Sequence, residues 1–179
     1  MLKKTFLLIF ALIAHIAFAQ NIVYDQTNQN GVRTVVCSGM NIGVSNNMDT
    51  YIALAGFKYK STVLYSIAVS IGSQHKTDIP QNSKMIITLA NGKVIECPSV
   101  VGGTSVLESI DVQMSDVYQT YLRFAYYNIK EKDIKKIQKS SIIQIDIQLY
   151  PSNYSAAFKD NQLGNVITAD YGIIKDTLQ

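Results

Sequence analysis

The sequence predicts an all-β, mainly antiparallel protein, a β-sandwich or partly open barrel with one short helix near residues 130–139. Three observations carry that expectation. Short runs of β-branched and aromatic residues alternate apolar with polar. Gly, Asn, Ser and Pro interrupt them at frequent intervals. The helices that parallel crossovers would require are missing.

The elements follow in order. Asn21 to Asn30 is polar and supports at most one short strand, at Ile22 to Tyr24. Val32 to Cys37 is β-branched and stops at Ser38-Gly39. Tyr51 to Leu54 and Lys58 to Tyr59 read as short strands around Gly56. Val63 to Ile71 is longer, and Val63, Tyr65, Ile67, Val69 and Ile71 give it one apolar face. Met85 to Ala90 and Lys93 to Cys97 flank Asn91-Gly92, a dipeptide suited to a two-residue type I′ turn. That loop would pair Leu89 with Val94 and Thr88 with Ile95, and Pro98 would end the pairing.

Val100 to Ser105 contains Gly102-Gly103 and reads as a loop, and Leu107 to Met114 alternates weakly. Val117 to Tyr127 is a long strand. Leu122, Phe124 and Tyr126 point one way, and Tyr121, Arg123 and Tyr127 the other. The helix at Lys130 to Lys139 has Asn128 three residues before Glu131, a capping-box spacing. Its stripe of Ile134 and Ile137 is narrow, so it must lean on the sheet. In Ser141 to Tyr150, Ile143, Ile145, Ile147 and Leu149 form a dry face against Gln144, Asp146 and Gln148. A last strand is expected at Val166 to Ala169 or Tyr171 to Ile174.

Residues 1–19 have the layout of a secretory signal peptide. Lys3 and Lys4 precede the apolar run Phe6 to Ala14, and Ala17-Phe18-Ala19 gives an A-x-A exit before Gln20. The run is too short to serve as a membrane span, and no transmembrane segment follows. Gln20 stands where a lipoprotein would carry its cysteine. Residues 20–179 then form a single secreted or periplasmic domain. Cleavage leaves fourteen basic residues against thirteen acidic, lowering the net charge from +3 to +1. Such a balance gives no electrostatic footprint for nucleic acid.

Cys37 and Cys97 survive cleavage, and an oxidising compartment favours a disulfide between them. Its long loop would restrain the unfolded chain by about 4 kcal/mol. Two separately buried thiols are the other reading.

Catalytic sets are hard to find. His75, the only histidine after cleavage, lies near Ser73 and Asp78 without a nucleophile elbow. One histidine and two distant cysteines do not make a zinc site, and the acidic group Glu108, Asp111 and Asp116 matches no calcium loop. No cofactor is expected. Enzymatic activity is disfavoured, although Glu108, Asp111, Asp116 and Asp146 could supply the paired carboxylates of a glycosidase. Tyrosine is the surplus resource, with eleven in the chain and no tryptophan. Tyr121, Arg123 and Tyr127, if outward, would form a recognition patch of hot-spot residue types. The competing reading is cross-strand stabilisation, with Arg123 opposite Asp146.

The segment Asn128-Ile-Lys-Glu-Lys-Asp-Ile-Lys-Lys-Ile and its following Ile-rich strand resemble the strand–short helix–strand ending of small, uncharacterised exported β-sandwich proteins from Bacteroidetes-type bacteria. The likeness spans the hairpin and the C-terminal third, about half of the mature chain. In those proteins the helix opens at Ser or Thr, whereas Asn128 or Lys130 stands here. The resemblance implies an export route and a fold type, and no catalytic residues. The function expected is a non-catalytic binding or accessory module for a protein or an envelope glycan. The alternative is a carbohydrate-active module or glycosidase using tyrosines and paired acids.

Overall fold

The computed structural model describes residues 21–100, 103–104, 106–113 and 116–179, with side chains described outside 101–120. The predicted leader therefore lies outside the described residues. The described residues are mostly antiparallel strands in two main sheets with two helices, as the sequence predicts for the class. The larger sheet holds β1 (Ile22–Thr27), β2 (Val32–Cys37), β4 (Met48–Tyr59), β5 (Thr62–Ser73), β11 (Asp116–Ile129) and β10 (Val106–Gln113), in that spatial order. A seventh strand, β3 (Met40–Ser45), pairs beside β4. The second sheet runs β13 (Tyr154–Ala157), β12 (Ile142–Ile147), β7 (Lys84–Leu89), β8 (Val94–Pro98). A small ladder joins β6 (Asp78–Ile79) to β9 (Gly103–Thr104), so part of the expected Val100 to Ser105 loop is paired.

One core lies between the sheets. Alternate residues of the long central strands, including Ile52, Leu54, Ile67, Val69 and Ile71, meet Ile87, Leu89, Ile145 and Ile147 there. The helices α1 (Glu131–Ile137) and α2 (Gln162–Leu178) seal the same core with Ile134, Ile137, Ile167 and Ile174.

The expected C-terminal strand is in fact α2. Leu163, Val166, Ile167, Asp170, Tyr171, Ile174 and Leu178 are buried, spaced three and four apart along one helical face. That stripe outweighs the poor helix propensity of Gly164, Gly172 and the β-branched residues. Gly56 lets the helix settle on β4, since a Cβ there would collide with Ile174 and Leu178. At the C-terminal end, Arg33 donates to the Thr177 carbonyl at 3.1 Å and Lys58 to that of Gln179 at 2.9 Å. Cations at that end complement the helix dipole.

The hairpin exists, but its register is one residue from the expected one. Leu89 N–H donates to the Lys93 carbonyl, Thr88 faces Val94 and Ile87 faces Ile95. Only Gly92 takes a positive φ, +78°, so Ala90-Asn91-Gly92 is a three-residue loop with a glycine bulge. Burial decides the register. The shift sets buried Ile87 against buried Ile95, and Met85 against Cys97, where the two-residue loop would have set Ile87 against Glu96. A bulge between Ile142 and Gln144 likewise turns Ile143 outward and gives its place in the dry face to Ile142.

Asn128 does not cap α1. It is the penultimate residue of β11, where its side chain accepts from the Ser66 hydroxyl at 3.1 Å, and Lys130 occupies the N-cap position. Glu131 accepts instead from Tyr171, which ties the two helices.

The disulfide is not formed. Cys37 and Cys97 are free and buried, in different sheets. Each is settled locally, Cys37 beside Asp170 and Cys97 opposite Met85, so the reading as two buried thiols is the correct one. Burial, joined by the charge of Asp170, pushes the Cys37 thiol up to about 12. Burial near Asp133 does the same for Cys97, also about 12.

Candidate functional site

The residues predicted as a binding patch share one face of β11, but it is the inner face. Tyr127 is 0% exposed and its neighbours Ala125 and Ile129 are buried with it. Burial pushes its phenol up to about 12, with Ser83 and Arg123 acting in the opposite direction. Tyr121 and Arg123 are half-buried, in register with Ser73 and Ile71. Arg123 does not face Asp146, which sits in the other sheet and accepts from Ser155 at 2.6 Å. The alternation along the strand was legible, and its sidedness was reversed.

The opposite side of this sheet carries the more distinctive surface. In an antiparallel sheet, directly paired residues project to the same side, so the outer face can be read in rows. One row is Tyr24–Val36–Ala55–Ser66–Asn128. The next is Ala53–Ala68–Tyr126, and then Tyr51–Ser70–Phe124. Alanine and serine occupy the middle of the sheet and rings stand at its flanks. Phe57 reaches across to Tyr126, with their ring centroids 5.5 Å apart in an edge-to-face contact.

The result is an open groove of ≈ 540 Å³ with a small-residue floor and walls of Tyr24, Tyr51, Phe57, Phe124 and Tyr126. Phe124 is 60% exposed and Tyr51 43%. Among the described residues, no Asp, Glu, Lys, Arg or His lines it. Cys37 adjoins the floor, but its raised pKa keeps it a thiol and so a poor nucleophile. The groove thus offers shape, aromatic surface, phenol hydroxyls and Ser70.

The other candidates are scattered. His75 is exposed, its backbone N–H bonded to the Ser73 hydroxyl at 3.1 Å. The side chains of Glu108, Asp111, Asp116 and Tyr118 lie outside the described residues, although their backbone belongs to the β10–β11 hairpin. Among the described residues no group of three or more His, Cys, Asp or Glu could hold a metal ion. No described helix is long and apolar enough to cross a membrane.

The sequence contained a signal for this groove. Phe124 and Tyr126 alternate with Ala125, and Ala53, Ala55, Ala68 and Ser70 are small residues in long strands. What it lacked was the pairing that sets those residues side by side. Comparison with protein-family models, with curated proteins and with solved structures finds no match to this chain.

Proposed function

We propose that this chain is an exported, non-catalytic binding module whose recognition face is the outer groove of the seven-stranded sheet. The observation that carries the reading is the exposed aromatic rim around a floor of alanine and serine. Solvent-facing sheet surfaces are ordinarily polar, and contiguous exposed apolar surface marks an interaction site. The leader-like N-terminus supports export, which makes the partner a protein or a component of the cell envelope. The rings could also stack on a sugar, but a lining without carboxylates among the described residues supports binding rather than hydrolysis.

A crosslinked capture from the native host's envelope with residues 20–179 tests the reading. A specific partner should be recovered by the wild type and lost with Phe124→Ala/Tyr126→Ala. A partner retained by the double variant would move recognition away from the groove.

A further inference from the structure

The chemistry of the partner is written in the strand that borders the groove. β1 ends the seven-stranded sheet, and all six of its residues are exposed. Asn28 N–H bonds to the Val32 carbonyl at 3.0 Å, so by alternation Gln26 exchanges bonds with Thr34, and Tyr24 with Val36. The N–H and C=O groups of Asp25 and Thr27 consequently point away from the sheet.

Both edges of the second sheet are covered. β13 lies against β3, where the Tyr154 hydroxyl donates to the Ile42 carbonyl at 3.1 Å. β8 contains Pro98, and the bridge between Ser99 and Tyr127 closes it against β11. β10, the opposite edge, has its side chains outside the described residues. β1 carries neither proline nor lysine, the usual guards of an edge. Its single acid, Asp25, is paired with Arg33 at 2.8 Å. Val23 and Tyr24 of this strand also line the groove, which makes edge and groove one surface.

We infer that the partner of this module presents an extended, uncharged polypeptide strand that adds to β1 and lays an apolar side chain over the groove beside Tyr24. The inference rests on the binding reading above. Main-chain pairing would supply affinity and the groove would select the side chain, as in other strand-addition complexes. The strand comes from another protein. A second copy pairing about Asp25, an outward-bonding residue, would set the polar Gln26 of that copy beside Tyr24 where the groove presents apolar surface.

The probe is the peptide acetyl-Thr-Val-Tyr-Val-Thr-amide, titrated into isotope-labelled residues 20–179 while amide hydrogen exchange is followed. The Asp25 and Thr27 amides should slow by about tenfold or more, and those of Tyr24 and Gln26, already in the ladder, should change little. Thr27→Pro and Val23→Lys should each weaken the peptide by about tenfold. Val23→Lys decides the matter if Thr27→Pro does not fold. Groove resonances that shift without slowing of Asp25 and Thr27 would overturn strand addition and leave the groove reading standing. No change at either place at millimolar peptide would also overturn it. Self-association with those two amides protected would assign the edge to a second copy and exclude the foreign strand.

Discussion

The two faces of the seven-stranded sheet are built by alternate residues of the same strands, yet they follow opposite rules. On the inner face Ile52, Leu54, Ile67, Val69, Ile71 and Tyr127 are buried against the second sheet and the helices. On the outer face Ala53, Ala68 and Ser70 lie between Phe124, Tyr126 and Tyr51, and the rings stand in solvent. Large residues at the centre of the inner face fill volume. Small residues at the centre of the outer face create depth, and rings exposed around that depth stabilise nothing they do not touch. Apolar character alone therefore does not locate the core here. Size pattern across the strands separates the packed face from the grooved face.

That contrast sets the largest expected effect. Tyr127→Ala should lower unfolding free energy by about 3–5 kcal/mol, as truncation of a large buried aromatic does. Phe124→Ala, one step along the alternation on the other side, should cost less than about 1 kcal/mol. Denaturant titration of the pair measures both. Equal losses would mean that the outer ring belongs to the core.

Asp170 is a charge-bearing group on the inner side, fully buried, and accepts from Leu54 N–H at 3.2 Å. Burial, opposed by the Leu54 and Cys37 hydrogen bonds, raises its pKa from 3.8 to about 6. The folded state therefore holds a proton that the unfolded chain has released. Its contribution is complete below about pH 4, is lost as pH rises to about 6, and is flat beyond, amounting to at most about 3 kcal/mol. Asp170→Asn should abolish that part of the pH slope in stability. Identical slopes for the variant and the wild type would contradict the assignment.

Gly56→Ala sharpens the same side. Its new Cβ meets Ile174 and Leu178, so α2 must shift, at about 1–3 kcal/mol. The smallest effect is chemical. Cys37 and Cys97 should resist alkylation in the native protein, and both should react after unfolding without reductant. Resistance after unfolding would restore the disulfide.

Much of this architecture was legible in residue order. The alternation in Val63 to Ile71 identifies β5 and its buried face, and the Asn91-Gly92 dipeptide identifies the hairpin. What failed depended on which residues pair and on which face the rest of the fold covers. Hairpin register was decided by Ile87 finding Ile95, and the sidedness of β11 by which face the second sheet covers. In α2, the spacing from Leu163 to Leu178 was a helical signal masked by two glycines and β-branched residues. The groove was the least legible feature, because its rows join residues from five strands. Tyr51, Ser70 and Phe124 become neighbours only through pairing.

The most direct test compares the two faces in one binding assay. Envelope capture would be quantified for wild-type residues 20–179, for Phe124→Ala/Tyr126→Ala and for Tyr121→Ala/Arg123→Ala, each confirmed folded by circular dichroism. The outer-face variant should lose capture by about tenfold or more, while the inner-face variant retains it. Loss with the inner pair and retention with the outer pair would contradict the placement of recognition on the groove.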